Sequence, residues 1–123
     1  MYSAQLLDHF QNPRNPGEIS GADADVQIEN PVCGDVLRLT LKIESGRVVE
    51  IRFKAKGCVP TIACGSALTE LVREKSLDEA RRLTRADLIG EVGGLPQASN
   101  HAAQLAIDAL AAALNQISKS NKD

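Results

Sequence analysis

Aromatic residues are nearly absent from this sequence. Tyr2, Phe10 and Phe53 are the whole complement, and there is no tryptophan. The core must therefore be aliphatic and alanine-rich, and few ring faces remain for stacking nucleic-acid bases. No basic block stands out; the Arg81–Arg82 pair reads as a solvated helix face. With a net charge of −2, the chain is not expected to bind nucleic acid or an anionic membrane. There is no long apolar run and no signal-peptide pattern, so a soluble, cytoplasmic protein with no membrane association is expected.

Cysteine is scarce and odd in number: Cys33, Cys58 and Cys64, with no Cys-x-x-Cys pair. Intracellular thiols are more often reduced than bridged, and three cannot all pair, so a disulfide is the weakest reading. Also missing are a Gly-x-Ser-x-Gly elbow and the glycine patterns of nucleotide- and dinucleotide-binding loops. Serine-hydrolase and nucleotide-binding chemistries have no local support. A Cys58–His101 nucleophile pair is conceivable, but nothing specific favours it.

At 123 residues the chain is one domain, 1–123. Apolar residues at 2, 6, 7 and 10 suit a short amphipathic helix, ended by the prolines and glycines of "QNPRNPGEISG". Residues 25–30 offer thin evidence for a first strand. Leu37, Leu39, Leu41 and Ile43 alternate with polar residues, and Val49, Ile51, Phe53 and Ala55 do so after a turn at "ESG". That is an antiparallel hairpin with one dry face and one wet face, closed by a three-residue loop containing Gly46. Like-facing partners must share parity, which carries Cys33 to within one position of Cys58 at the open end, with Asp35 beside them. From Pro60 the pattern turns helical. "SLDE" at 76–79 is a capping box, "TRAD" at 84–87 opens a further short helix, and Asn100 is placed to cap a last alanine-rich helix. Residues 118–123 read as a frayed tail.

Cys33, Asp35, Cys58 and His101 thus form a candidate site: thiolate, carboxylate and imidazole suit zinc or an iron–sulfur centre. Cys58 precedes a helix N-terminus, which favours a thiolate. Taken singly, each has a plainer role. Either cysteine could be an inert core residue, His101 a helix-start or solvent residue, and Asp35 a polar strand end.

"DHFQNPRNPG", "NPVCGD", "FKAKGC", "TIACGSALTE", "KSLDEA" and "LP" before "HAAQLAIDAL" run in order from Tyr2 to Leu114 and together resemble the NifU/IscU-type iron–sulfur cluster assembly scaffolds. The resemblance implies an α+β fold: a three-stranded antiparallel sheet with helices packed on one face and metal ligands at one end. It implies a non-enzymatic scaffold or carrier. A cysteine desulfurase would deliver persulfide sulfur, a labile 2Fe–2S cluster would be assembled, and acceptor apo-proteins would receive it. Zinc would occupy the site when the cluster is absent. A cluster bridging two copies would make the chain a homo-oligomer. Cys33, Asp35 and Cys58 match family ligands, and the aspartate is the one that keeps the cluster labile. His101 matches the histidine before the third scaffold cysteine.

That third cysteine is replaced by Ala102. Cys64 is a candidate substitute if its helix turns it toward the site, and a buried core thiol if not. "LPQAS" at 95–99 departs from the Leu-Pro-Pro-Val-Lys segment of members that work with an Hsp70-type chaperone, which argues against that interaction. The insertion of the zinc-dependent sulfur-acceptor branch is also missing. Two alternatives stay open: a persulfide acceptor that holds no cluster, and a degenerate paralogue kept as a regulatory binding domain.

Overall fold

A computed structural model describes residues 2–31 and 34–120, the last two by backbone alone. The elements in chain order are α1 (Ala4–Gln11), β1 (Ala24–Glu29), β2 (Val36–Glu44), β3 (Arg47–Lys56), α2 (Val59–Val72), α3 (Leu77–Arg81), α4 (Arg85–Glu91) and α5 (Asn100–Ser120). The strands form one antiparallel sheet in the order β1-β2-β3. Helices α2 and α5 pack against the sheet and each other, and α1 covers the far side of α2. The fold is the expected α+β arrangement.

The hairpin turn is tighter than its sequence suggests. Ser45 and Gly46 alone connect the strands, both with positive φ (52° and 74°), and Glu44 pairs directly with Arg47. A two-residue turn of this hand matches the twist of the strands it joins. Its register would put the apolar sets out of phase, and a bulge corrects this: Ile43 pairs with Val48, but Lys42 pairs with Glu50. Val49 is the extra residue. It is therefore pushed outward and exposed, while Val48 is fully buried in the position expected for Val49. Beyond the bulge the even register holds to the open end, where Val36 faces Lys56.

The dry face of the sheet presents Leu37, Leu39, Leu41, Ile51 and Phe53 to Leu68 and Val72 of α2 and to Ala106, Leu110 and Ala113 of α5, all part of one buried cluster. Truncating the fully buried Leu39 to alanine would cost roughly 2–5 kcal/mol. Helix α2 is buried on nearly every side because it is sandwiched between the sheet and α1. It lies so close to the sheet that a Cβ at Gly65 would stand 2.7 Å from the Phe53 ring and 3.2 Å from Leu37. On its other side the Ser66 hydroxyl meets His9 Nδ1 at 2.8 Å and accepts the Arg14 N–H at 2.8 Å.

The opposite face of the sheet is partly covered by the loop after α1. Asn15 and Gly17 exchange backbone hydrogen bonds with Phe53, and the Ile19 N–H reaches the buried Thr40 hydroxyl at 3.1 Å. Arg38 binds Asp25 and Glu18 there, and Lys54 binds Glu18.

The expected capping box forms on Ser76 with Glu79, and the short helix expected from "TRAD" opens with a second box, on Thr84 with Asp87. Asn100 does not cap α5. A 3-10 turn at Gln97–Ser99 runs straight into that helix and leaves Asn100 with helical angles (φ −60°, ψ −25°). Helix α5 continues to Ser120, so 118–120 of the expected tail are helical, and 121–123 lie outside the described residues.

Candidate metal centre

Three elements meet at the open end of the hairpin. Asp35 immediately precedes β2, and Cys58 stands at the N-cap position of α2, two residues beyond β3. His101 is the second residue of α5. The register explains the first two: the ladder ends at Val36 and Lys56, so the next residues outward are Asp35 and Gly57, and Cys58 follows.

One ligand atom each from Asp35, Cys58 and His101 lies within 4.8 Å of the others. Cys58 Sγ is 3.3 Å from Asp35 Oδ2 and 3.9 Å from His101 Nε2, and His101 Nε2 is 3.4 Å from the same Oδ2. The other carboxylate oxygen, Oδ1, accepts the Cys58 backbone N–H at 3.3 Å. Asp35 is almost fully buried, whereas Cys58 and His101 are only partly covered. Beside His101 is an open cleft of about 320 Å³, also lined by Asn30, Arg85, Asn100, Gln104 and Asp108.

The turn before α5 sets the imidazole tautomer. His101 Nδ1 is 3.2 Å from the Ala98 carbonyl, which can only accept, so Nδ1 carries the proton. In the neutral ring Nε2 then keeps its lone pair and turns it toward Asp35 Oδ2 and the Cys58 sulfur. Two lone-pair atoms facing each other repel unless a proton or a cation lies between them. A proton or a metal cation would serve, and the donor set of one sulfur, one nitrogen and one oxygen within 4.8 Å of one another is of a kind that fits a metal centre.

Burial pushes the Asp35 carboxyl up, but hydrogen bonds from Thr61, the Cys58 thiol and the Cys58 N–H, with His101 nearby, outweigh it and hold the group below its ordinary value. Asp35 is therefore a carboxylate at neutral pH and available as a ligand.

Of the residues expected from sequence, Asp35, Cys58 and His101 converge. Cys33 lies outside the described residues. Cys64 is fully buried within the core cluster, and burial pushes its thiol up to about 12, with a smaller push from Cys58. Ala102, where the third cysteine would stand, is buried beside His101.

Sequence reasoning passed over Thr61. Its hydroxyl donates to Asp35 Oδ2 at 2.7 Å and lies 3.2 Å from Cys58 Sγ, and the residue is 1% exposed. The signal was its place three residues after Cys58 in the first turn of α2, where a side chain comes back over the residue before the helix.

Residues 1–123 match the family described as the NifU-like N terminal domain. An Archaeoglobus fulgidus protein named iron-sulfur cluster assembly scaffold protein IscU 1 is 42% identical over 114 residues, covering 93% of this chain and 74% of the relative. The Escherichia coli K12 protein named iron-sulfur cluster assembly scaffold protein IscU is 40% identical over 117 residues, covering 92% and 91%. In fold, the N-terminal part of a nitrogen-fixing NifU-like protein from Brucella abortus superposes with a TM-score of 0.81 over 95% of this chain and 94% of that one, at 20% identity. The chain belongs to the NifU-like N-terminal domain family.

Proposed function

We propose that this protein is an iron–sulfur cluster assembly scaffold. Its cargo would be a labile 2Fe–2S cluster, with zinc as the alternative occupant, held by Cys33, Asp35, Cys58 and His101. The observation that carries this reading is the meeting of Asp35 Oδ2, Cys58 Sγ and His101 Nε2 within 4.8 Å at one end of the sheet. Close similarity to relatives named as cluster assembly scaffolds supports it.

The chemistry follows from the donor set. Cys58 gives up its proton when it binds the cargo, whereas His101 offers Nε2 without losing one. Asp35 contributes a hard oxygen where an iron–sulfur core prefers thiolate, so the cargo is held less firmly and passes on more readily. Cys64 is left out of the proposed set, because a thiol sealed in the core would have to leave it to bind. The protein acts as a binding platform rather than a catalyst. Its partners would be a cysteine desulfurase on the supply side and apo-proteins on the receiving side. Among the described residues no helix is long and apolar enough to cross a membrane.

A second reading, a persulfide acceptor, draws on the partly exposed Cys58 thiol. Anaerobic purification separates the two, with iron, zinc and acid-labile sulfide measured on one sample alongside its visible spectrum. Equal iron and sulfide with a 2Fe–2S spectrum is the expected result. Sulfur on Cys58 without iron, even after reconstitution, would favour the acceptor. A site that stays empty throughout would leave the regulatory paralogue.

A further inference from the structure

The Asp35 carboxylate is engaged by its own protein neighbours. Oδ2 accepts the Thr61 hydroxyl at 2.7 Å, and Cys58 Sγ stands 3.3 Å from the same atom. Oδ1 takes the Cys58 N–H. Thr61 is 1% exposed and Asp35 3%, so water does not compete freely for either group. Thr61 Oγ1 also lies 3.2 Å from Cys58 Sγ. One hydroxyl therefore touches two of the proposed ligands at once, but it has a single proton to give. With the thiol protonated, that proton belongs to the carboxylate and the sulfur can donate in turn. With the sulfur ionised, carboxylate and thiolate compete for it.

We propose that Thr61 is a positioning residue that weakens Asp35 and Cys58 as metal ligands, and so sets how readily the site lets its cargo go. This inference rests on the metal-centre reading above. To bind a cation through Oδ2, Asp35 must give up or share a charge-assisted hydrogen bond in a nearly dry setting. If the hydroxyl turns to the Cys58 thiolate instead, it withdraws electron density from sulfur and weakens that ligand. Both arrangements act in the same direction. Asp35 is thus restrained by a neighbour as well as being a hard ligand by nature.

The probe is zinc alone, loaded onto the full chain and withdrawn by a chromogenic chelator. Thr61→Val keeps the side-chain shape and removes the hydroxyl, Thr61→Ala removes it with no β-branch in the helix, and Thr61→Ser restores it. A hydrogen bond to a charged group is strong enough that its loss should slow zinc release roughly tenfold or more in the Val and Ala variants. Release from Thr61→Ser should match the unaltered protein. With cobalt(II) in place of zinc, the sulfur-to-metal charge-transfer band of Thr61→Val should move to lower energy, as expected for a thiolate that has lost a donor. A purely structural role predicts faster zinc loss in Val and Ala together with a lowered unfolding midpoint. Equal or faster release in both variants, from an unaltered protein that binds zinc, overturns the role of Thr61 alone. Failure of the unaltered protein to bind zinc or cobalt overturns the metal-centre reading and this inference with it.

Discussion

The Asp35 carboxylate fills the space that a side chain at Gly57 would need. A Cβ on Gly57 would stand 2.7 Å from Asp35 Cγ and closer still to Oδ1, and Gly57 has φ +144°. Both conditions demand glycine, and together they let the backbone carry Cys58 up against the carboxylate. Gly57→Ala should destabilise the fold by roughly 2–4 kcal/mol, combining overpacking with backbone strain. It should also force Asp35 away from Cys58 and weaken zinc binding. Urea unfolding and zinc titration check the two effects separately. A variant with unaltered stability and affinity would contradict the close approach.

The two described cysteines should differ sharply as nucleophiles. Cys58 is partly exposed, whereas Cys64 is sealed in the core with its thiol pushed up to about 12 by burial. Brief alkylation of the native, metal-free protein at neutral pH should modify Cys58 and spare Cys64 until urea is added, as peptide mass mapping would reveal. Cys64→Ala should cost roughly 1–2 kcal/mol of stability through a small cavity yet leave bound zinc unchanged. Loss of zinc comparable to that in Cys58→Ser would restore Cys64 as a ligand.

Replacing the hard ligand should lengthen the life of the cargo. Asp35→Ala removes the carboxylate that Thr61 and Cys58 both address. After reconstitution, its visible absorption should decay several-fold more slowly than that of the unaltered protein. Equal or faster decay would argue against Asp35 as the labilising group.

His9 makes stability depend on pH at a distance from the site. Burial, reinforced by Arg14, lowers its pKa below the ordinary value near 6.5. The unfolded chain therefore takes up a proton near pH 6.5 that the folded chain still refuses. Stability is greatest above that pH and falls as the pH drops below it, down to the folded value. Urea midpoints of the metal-free protein should decline between pH 7 and 5.5, and His9→Gln should flatten that decline. An identical slope in the variant would show that His9 stays exposed to protons in the fold.

Much of this protein was legible from patterns of period and punctuation. The hairpin, the capping box at Ser76 and the alanine stripe of α5 depend on neighbours in sequence, and local geometry decides them. The nearness of Asp35 and Cys58 was also legible, because strand parity is arithmetic that carries along a ladder. The inner placement of Val48 was not. Apolar alternation cannot distinguish a three-residue loop from a two-residue turn followed by a bulge, and only the closed ladder shows which residue is extra.

The sequence by itself determined the donor types, the end of the sheet at which two of them meet, and the family. Tertiary structure decided the rest. His101 reaches the site because α5 packs across the sheet and a 3-10 turn puts the Ala98 carbonyl against Nδ1. Cys64 is withdrawn because α2 is buried on nearly every side. Thr61 enters because the first turn of α2 swings its hydroxyl over Asp35, 26 residues away in the chain. Each depends on the angle at which one element meets another. That angle comes from side-chain packing summed over whole faces, which no local stretch of sequence contains.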